Sequence, residues 1–287
     1  MIIVTTAGKV GSQAARLLAE SGHRVRVLTR RPAAHHGLAA AGVEVFHGDL
    51  DDPASIAAAV SGVTSVVLIT APNATQEIAV IDALRGTTVH VTKVTAEASA
   101  DSPIARRRDH HRIEQALTAS GLPYTLLRAN AYMQNFLVLA PVIAATSAFS
   151  SPTGDGRVGM VDGRDVAAAA ATIAAAPDGH AGTTYRLSGP SSLSYDDVAA
   201  QLSTLAGRTI THQHITVREQ EQAMIRIGLP EAVAHDNAQA LQLFSEGDAD
   251  WTSPDVEHVT GRPAATFAQF AADHIGLFVG AQPQTRG

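Results

Sequence analysis

The sequence predicts an α/β fold in which a doubly wound parallel sheet is followed by a smaller, mostly helical lobe. Short runs rich in β-branched residues alternate with helix-length segments through the first 130 residues. Strands connected in this way form a parallel sheet, because each crossover carries the chain back over one face of the sheet. After Ala129 the alternation loosens, and Pro230, Pro254 and Pro263 separate helical stretches. The C-terminal part is therefore predicted to form the lobe.

The elements of the predicted sheet follow one another along the first half of the chain. Strands are expected at residues 1–5, 24–30, 43–49, 65–70, 87–95 and 124–129, and helices near 11–21, 53–60 and 106–120. The Gly/Ser/Pro-rich segment 150–157 is predicted to be a loop, and 183–189 a strand that returns to the sheet. A helix is predicted at 194–208, which starts with serine, has acids in its first turn and ends at Gly207.

Composition excludes several classes of protein. With 45% hydrophobic residues, the 287-residue chain can bury a sizeable core. Its formal net charge of -6 comes from scattered groups, so we expect a metabolite as ligand and no nucleic acid. The absence of cysteine excludes disulfides, thiolate nucleophiles and Cys-based metal sites. We find neither a basic leader after Met1 nor an apolar span of membrane length, and therefore expect a cytoplasmic protein without a membrane partner. A homodimer is compatible with the sequence.

The turn between the first predicted strand and helix contains a glycine pair, Gly8 and Gly11. In a dinucleotide-binding turn, one glycine lets the backbone approach the pyrophosphate, another lets the helix pack on the strand, and the helix N-terminus supplies N–H donors. Thr5 or Thr6 replaces the usual first glycine, so the fingerprint is incomplete. A plain strand-to-helix turn is the alternative. The position of the pair ahead of a βαβ series favours nucleotide binding.

The segments after the second and third strands indicate which nucleotide is bound. An acidic residue after the second strand usually binds the adenosine 2′-OH, whereas a 2′-phosphate requires a cation. Thr29–Arg31 offers no acid and two guanidiniums, which favours NADP(H) over NAD(H), with Lys9 as a second cation. Two solvated surface arginines are the alternative. Asp49 is placed to meet the adenine amino group, or to cap the helix that begins near Pro53.

Four stretches resemble the NmrA-like branch of the atypical short-chain dehydrogenase/reductases, which includes type 2 NAD(P)H:quinone oxidoreductases and NADP-binding redox regulators. They are "MIIVTTAGKVGSQAARLLAESGHRVRVLTRRP", "HHRIEQALTASGLPYTLLRANAYMQNF", "DGRDVAAAAA" and "GTTYRLSGPSSLSYDDVAAQL". The resemblance runs from residue 1 to about residue 275. It implies a Rossmann-type fold, a nicotinamide cofactor and a cleft roofed by the C-terminal lobe. Residues 1–130 with 158–189 would then form the NAD(P)-binding domain, and 131–157 with 190–287 the substrate lobe.

The resemblance also assigns contacts residue by residue. The family's phosphate loop falls on Thr5, Thr6, Ala7, Gly8, Lys9, Val10 and Gly11, and its 2′-phosphate contact on Arg30, next to Thr29. The adenine contact falls on Asp49 and Leu50, and the loop beside the ribose on Thr70, Ala71 and Pro72. The cleft lining falls on Asn130, Tyr132 and Met133. Tyr132, Met133 and Phe136 would supply apolar, partly aromatic contacts for a flat ring. Alternatively, Tyr132, Met133 and Phe136 are core residues of the following helix.

The predicted catalytic residues depart from the wider family. Typical short-chain reductases use a Tyr-x-x-x-Lys pair, and the corresponding positions here are His110 and Glu114. A glutamate cannot replace the cation, but it could raise the pKa of a nearby histidine and keep that histidine an acid near neutrality. We therefore predict His110 as proton donor, with Lys93 or Thr95 polarising or orienting the reacting oxygen. An exposed, inert His110 and a solvent-directed Lys93 are the alternatives.

A weak proton donor affects the expected substrate. Hydride transfer to a ketone leaves an alkoxide, whereas a quinone becomes a phenolate whose conjugate acid has a pKa of about 10. The sequence therefore favours a quinone or a conjugated polycyclic molecule as hydride acceptor from NADP(H). Two other functions stay open: an NADP(H)-binding redox sensor without turnover, and a tailoring enzyme, including an oxygenase, that acts on an aromatic polyketide.

Histidines occur in pairs, and one pair bears on metal binding. His212 and His214 form a His-x-His motif, which on a strand would place two imidazoles on one face. Zinc requires a third and a fourth ligand, and the sequence offers no carboxylate cluster beside this motif. We therefore predict no metal site.

Overall fold

The computed structural model of the protein describes residues 1–71 and 73–280. The chain divides into two compact units. The first unit comprises Met1–Ala129, Gly163–Leu187 and Asp255–Pro263. The second comprises Asn130–Asp162, Ser188–Pro254 and the segment from Ala264 onward. Residues 255–263 are the main difference from the predicted division, because they pack in the first unit although they were expected in the lobe.

The first unit is built on a seven-stranded parallel sheet. Its strands are β1 (Ile2–Val4), β2 (Val25–Thr29), β3 (Glu44–His47), β4 (Ser65–Leu68), β5 (His90–Thr95), β6 (Tyr124–Ala129) and β9 (Thr183–Leu187), arranged in the order β3-β2-β1-β4-β5-β6-β9. Every neighbouring pair is parallel. All residues of β4 and β5 are buried, as expected for strands covered on both faces. The predicted doubly wound, Rossmann-type α/β fold is confirmed.

Helices flank this sheet in two groups. They are α1 (Lys9–Glu20), α2 (His36–Ala40), α3 (Pro53–Val60), α4 (Ala74–Ala83), α5 (Ala105–Thr118), α7 (Gly163–Ala175) and α11 (Asp255–Thr260), and a 3₁₀ turn spans Pro32–His35. Helix α1 packs on α7, while α3, α4 and α5 pack in a row. Ile56, Ile81 and Ile113 join strand residues such as Val66 and Val91 in one apolar core. The order of the strands reverses between β1 and β4, and ligands of such sheets bind outside the strand ends at that point.

The second unit contains six helices and two small sheets within the described residues. The helices are α6 (Asn135–Thr146), α8 (Tyr195–Ala206), α9 (Val217–Arg226), α10 (Glu231–Ser245), α12 (Phe267–Asp273) and α13 (Ile275–Val279). Strand β7 (Ala148–Ser151) pairs in parallel with β11 (Thr211–His214), and β8 (Arg157–Val158) pairs antiparallel with β10 (Leu193–Ser194). Phe136 anchors the core through edge contacts with Phe149 and Phe267.

Two local predictions can be compared with these elements. The prediction of a loop throughout 150–157 is wrong at both ends, because β7 reaches Ser151 and β8 starts at Arg157. The prediction for α8 is confirmed: Ser194 accepts a hydrogen bond from the N–H of Asp197, and Gly207 ends the helix at a φ of 63°. Among residues 1–71 and 73–280, the helices are all too short or too polar to cross a membrane.

Candidate functional site

The phosphate loop, residues 5–11, connects β1 to α1. Its two threonines face the end of β4. The Thr5 hydroxyl donates to the Ile69 carbonyl at 2.8 Å and accepts from the Ile69 N–H at 2.9 Å, and the Thr6 hydroxyl donates to the same carbonyl at 3.0 Å. These bonds join the ends of β1 and β4 at the point where the strand order reverses. A glycine here would lose them, which gives a structural reason for the incomplete glycine fingerprint.

The two glycines of the phosphate loop have different roles. A Cβ on Gly11 would lie 2.2 Å from the Thr6 carbonyl oxygen and 3.2 Å from a Val4 methyl, so only glycine permits this approach of α1 to β1. A Cβ on Gly8 would meet nothing closer than the Thr6 hydroxyl at 3.8 Å. Gly8 is exposed and is the N-cap of α1, and no side chain of the described residues caps this helix. The first-turn N–H groups are thus open to an anion.

Exposed cations lie beside this loop and at the end of β2. Lys9, Arg30 and Arg31 are all exposed. Within residues 1–71 and 73–280, no ion pair involves either arginine. The Thr29 hydroxyl accepts a hydrogen bond from the N–H of Arg31 at 3.1 Å, which fixes the turn rather than the guanidinium. Both guanidiniums are therefore available to a phosphate group.

The two predicted adenine contacts after β3, Asp49 and Leu50, differ in exposure. The Asp49 side chain accepts from the N–H of Asp51 at 3.1 Å and remains half-buried. The alternative of Asp49 as helix cap is wrong, because Asp52 caps α3 by accepting from the Ala54 N–H at 2.9 Å. Leu50 is buried in the apolar core of the first unit, so little of its side chain is left for a ligand.

The segment after β4 leads into a buried carboxylate. Thr70 is half-buried, and its hydroxyl donates to Glu77 Oε1 at 2.6 Å. Glu77 lies in the first turn of α4 and is completely buried. Ala71 is exposed, and Pro72 lies outside the described residues. The Thr70 hydroxyl is thus engaged in a hydrogen bond within the protein, and only the backbone of this segment is left to contact a ribose.

Five side chains form what we call the buried polar layer: Glu77, Lys93, Thr95, His110 and Glu114. The Lys93 ammonium lies 2.6 Å from Glu77 Oε2 and donates to the Val94 carbonyl at 2.6 Å, and both charged side chains are 0% exposed. Burial lowers the pKa of Lys93, and Glu77 opposes that shift. The solvent-directed alternative is wrong, because the ammonium is enclosed and paired, and the role of Lys93 toward a reacting oxygen stays a prediction.

Glu114 organises the other half of the buried polar layer. Its carboxylate accepts from the Thr95 hydroxyl at 3.0 Å and from Arg128 Nη2 at 2.5 Å. Arg128 also lies 3.8 Å from Glu97, which in turn contacts Arg186 at 3.2 Å. The bond to Glu114 is the main reason that the pKa of Arg128 is raised. Thr95 is therefore held by a carboxylate and is not free to orient a substrate oxygen without breaking that bond.

His110 is buried on α5, so the interpretation of it as an exposed residue is wrong. The expected rise of its pKa is also wrong. Burial lowers the pKa of His110 to about 3, and the positive charges of Lys93 and Arg106 lower it further. The ring is therefore neutral near pH 7 and cannot act there as an imidazolium acid. Its Nδ1 has no hydrogen-bond partner among the described residues, which is uncommon for a buried ring nitrogen.

The predicted cleft residues lie in the second unit. Asn130 is buried, and its amide donates to the Ala249 carbonyl at 3.1 Å, so it stabilises a loop rather than offering a free contact. Met133 and Phe136 are 2% and 1% exposed within the apolar core, which favours the core interpretation for both. Tyr132 alone is half-buried, and burial raises its pKa to about 12. Its hydroxyl therefore remains protonated and able to donate.

Sequence reasoning did not identify Glu77 or Arg128 as parts of this site. Each is the charge partner of a residue that it did name, Lys93 or Glu114. A usable signal existed for Glu77, since an acid in a helix whose other residues are mostly apolar needs a cation when buried. The sequence contains only two lysines, and one of them lies in a strand predicted to be covered on both faces. That combination indicates that Lys93 needs a buried acid, but it does not identify Glu77 as that acid.

Comparisons with known proteins agree with this architecture. The NmrA-like family matches residues 1–267. An NAD(P)H azoreductase of Xenophilus azovorans is 35% identical over 283 residues, which cover 97% of this chain and 99% of the relative.

Two crystal structures are also similar. One is the NADPH-dependent quinone oxidoreductase of Escherichia coli complexed with NADPH, with a TM-score of 0.86 and 29% identity, covering 96% of this chain and 99% of that one. The other is the Citrobacter sp. triphenylmethane reductase complexed with NADP(H), with a TM-score of 0.85 and 28% identity, again over 96% and 99%. Reductases with nicotinamide cofactors thus share the fold of both units.

Proposed function

This chain belongs to the NmrA-like family, and we propose that it is an NADP(H)-dependent oxidoreductase that reduces a quinone or another conjugated polycyclic small molecule. Its class, an NAD(P)H-dependent oxidoreductase, is that of its relatives. The three similar proteins are named for an azo compound, a quinone and a triphenylmethane dye as their substrates. All three acceptors are delocalised, which supports the proposed substrate class. The observation that carries the proposal is the N-terminus of α1, which no side chain of the described residues caps, beside Arg30 and Arg31, which pair with no described acid.

The residues present fit NADPH. The space above Gly8, where a Cβ would project, adjoins the uncapped first turn of α1, and this turn would hold the pyrophosphate. Arg30, with Lys9 as second cation, would hold the 2′-phosphate. Asp49 would face the adenine, and the backbone after β4 would face the ribose. When bound, NADPH supplies the hydride.

The chain's own residues supply little acid. His110 is neutral near pH 7 because burial lowers its pKa to about 3, so its role is to hydrogen-bond a water or an acceptor oxygen. Its unpaired Nδ1 supports this assignment. A reduced quinone is a phenolate with a conjugate acid pKa of about 10, which water can protonate at neutral pH. Tyr132 is assigned to the acceptor as a protonated hydroxyl on a partly exposed ring.

A redox sensor that binds NADP(H) without turnover is the second candidate. The observation that favours it is the closed state of the buried polar layer, in which Lys93 is paired with Glu77 and Thr95 with Glu114. Neither pair leaves a proton donor free for a substrate. A sensor would need the cofactor contacts of the first unit and none of the chemistry of a reductase.

Two measurements on the same preparation separate these functions. Calorimetric titration with NADPH and NADH tests binding, and the loss of NADPH absorbance at 340 nm on addition of a quinone, an azo dye or a simple ketone tests turnover. We expect NADPH to bind more tightly than NADH and to be oxidised with the delocalised acceptors but not with the ketone. Binding without oxidation across the panel would identify the sensor. No binding of either nucleotide would remove both functions.

His110→Gln tests the role of the histidine, with His111→Gln as the matched control on the same helix. Because His110 is proposed to orient the acceptor oxygen and not to protonate it, we expect His110→Gln to lower the quinone turnover number by roughly 10-fold, which corresponds to the loss of about one hydrogen bond. NADPH affinity should stay unchanged. Full turnover in His110→Gln would exclude the histidine from the mechanism.

A further inference from the structure

A second polar cluster lies in the second unit, around the start of α8. Asp196 is in the first turn of α8, and His212 and His214 lie two residues apart on β11, so they share one face of that strand. The carboxylate presents Oδ1 to His212 Nδ1 at 2.9 Å and Oδ2 to His214 Nε2 at 3.6 Å. One ligand atom from each residue lies within 4.8 Å of the other two. Two imidazoles and a carboxylate thus converge on one point.

Part of this cluster has the connectivity of a Ser-His-Asp triad, but its burial excludes acyl transfer. Ser151 Oγ lies 2.7 Å from His212 Nε2, on the side of the ring opposite Asp196. Ser151 is 2% exposed and also contacts the Thr153 hydroxyl at 2.7 Å, so no substrate can reach it. The opposite end of the cluster, formed by Asp196 and His214, is accessible, because the side chains of these two residues are 55% and 50% exposed.

His212 is held rigidly at the base of this accessible end. Its side chain is 0% exposed, and its ring stacks on Phe149 with centroids 5.2 Å apart. Tyr195 contacts the same ring edge-on at 5.7 Å. The orientation of Nδ1 toward Asp196 is therefore fixed by packing, as in metal sites where neighbouring groups orient the ligands.

We propose that Asp196, His212 and His214 bind a divalent transition metal ion, with Zn²⁺ as the ion their chemistry fits best. Imidazole nitrogen and carboxylate oxygen are zinc ligands, with metal–ligand distances of about 2.0–2.2 Å. Ligand atoms at the corners of a zinc tetrahedron are consequently about 3.3 Å apart. The separations of 2.9 and 3.6 Å end on different oxygens of Asp196, and one ligand atom from each of the three residues lies within 4.8 Å of the other two. Small rotations of the exposed Asp196 and His214 side chains would bring the three atoms to the tetrahedral spacing. The exposed side leaves the fourth position to water.

Metal binding can proceed without loss of a proton from the cluster, because the His212 ring proton can move from one ring nitrogen to the other. In the metal-free tautomer with the proton on Nδ1, His212 donates to Asp196 and its Nε2 accepts from the Ser151 hydroxyl. With metal on Nδ1, that proton moves to Nε2, which then donates to Ser151 Oγ. The Ser151 hydroxyl turns to donate to Thr153 Oγ1 at 2.7 Å instead. His212 stays neutral throughout, which is the form that binds a metal.

The experiment titrates the full chain, without an affinity tag, with ZnCl₂ in a calorimeter and follows thermal unfolding with and without the ion. We expect one ion per chain, an increase in Tm, and at least about 10-fold weaker binding in His214→Gln and in Asp196→Asn. His235→Gln is the matched control, because His235 also lies beside a carboxylate, that of Glu221 at 3.3 Å, and has no third ligand residue within the described part of the chain. It should bind like the unaltered protein.

His214→Gln is the main variant because its exposed side chain can be replaced without disturbing the core. Co²⁺ supplies an independent readout, since its visible absorption depends on the ligands around the ion. Zinc binding of equal affinity in His214→Gln, or a Co²⁺ spectrum that His214→Gln leaves unchanged, would overturn the proposal. So would the absence of stoichiometric binding in the unaltered protein. None of these results depends on turnover of NADPH.

Discussion

The phosphate loop and the buried polar layer lie near the carboxyl ends of strands in one sheet, yet they use polar groups in opposite ways. In the phosphate loop, the first-turn N–H groups of α1 lack a side-chain cap among the described residues, and Lys9 is exposed. In the buried polar layer, Lys93 and Glu77 are fully buried and neutralise each other. The phosphate loop can therefore bind a negatively charged group of a ligand, whereas Lys93 and Glu77 in the buried polar layer already neutralise each other.

This difference shows that burial decides what a charged residue can do. A buried ion pair loses hydration and recovers it only through its partner, so neither member can be diverted to a substrate at low cost. An exposed arginine such as Arg30 keeps its hydration and exchanges water for a phosphate group. Residues of the same chemical type thus serve stability in one region and ligand binding in the other. Four substitutions test this division, three of them against a matched residue.

The largest effect is expected from breaking the buried pair. Lys93→Met leaves Glu77 buried without its cation, which should lower the free energy of unfolding by about 3–5 kcal/mol. Adding Glu77→Gln removes the stranded charge and keeps an acceptor for Thr70, so most of the loss should be recovered. Urea denaturation of the single and double variants measures both values.

An exposed ion pair provides the comparison for Lys93→Met. Arg85 lies 2.7 Å from Asp82, and their side chains are 45% and 53% exposed. Arg85→Met should therefore change stability by less than about 1 kcal/mol. If Lys93→Met proved no more destabilising than Arg85→Met, the buried polar layer would not be a closed network.

The phosphate loop should be most sensitive at Gly11. Gly11→Ala places a Cβ 2.2 Å from the Thr6 carbonyl oxygen and displaces α1, which costs about 1–3 kcal/mol and misaligns the helix N-terminus. Gly8→Ala has space, with the nearest contact at 3.8 Å. We expect the free energy of unfolding to fall by about 1–3 kcal/mol in Gly11→Ala and by much less in Gly8→Ala, as measured by urea denaturation. NADPH binding should weaken in both variants, because the Gly8 Cβ would project into the space proposed for the pyrophosphate. Equal losses of stability would contradict the separate roles of the two glycines.

Arg30 tests whether exposed charge in this region selects the cofactor. Arg30→Ala should weaken NADPH binding by about 10-fold and leave NADH binding unchanged, because only NADPH has the 2′-phosphate. Arg31→Ala is the matched control, since Arg31 is equally exposed but was not assigned to the phosphate. A larger effect of Arg31→Ala would move the assignment to that residue.

The same comparison explains which parts could be predicted from sequence. The sheet and the phosphate loop were predictable because strand patterns and Gly11 act through local backbone geometry. The return of residues 255–263 to the first unit was not, since no local pattern distinguishes α11 from the other helices of the C-terminal region. The partners in the buried polar layer were also missed. Glu77 and Lys93 are separated by 16 positions, and nothing local shows that they meet.

Burial was the property that sequence reasoning judged least well. His110 was expected to be an acid near neutrality with the help of Glu114. In the structure the Glu114 carboxylate is bound to Thr95 and Arg128, and burial dominates the pKa of the histidine. For Met133 and Phe136 the sequence left a cleft and a core open, and their burial in the apolar core of the second unit favours the core. In each case the residue type suggested a role in the site, and the packing around the residue argues against that role.

The last prediction uses His110 to measure the burial of the layer directly. Its pKa is about 3 in the folded protein and about 6.5 in the unfolded chain, so the unfolded chain binds the extra proton between these values. Stability from this group is therefore complete above about pH 6.5 and is lost as the pH falls toward 3, by about 1.4 kcal/mol for each pH unit. His110→Gln lacks this dependence.

The measurement compares urea denaturation of the unaltered protein and His110→Gln from pH 4.5 to 8. Only the difference between the two curves is used, because carboxylates elsewhere titrate equally in both. We expect this difference to be constant above pH 7 and to shift steadily in favour of His110→Gln below pH 6. A constant difference over the whole range would mean that the His110 ring takes up its proton inside the fold. The surroundings of the histidine would then be open to bulk solvent and not only to the single hydrogen-bonding group proposed at Nδ1, and the buried polar layer would resemble the phosphate loop more than its packing indicates.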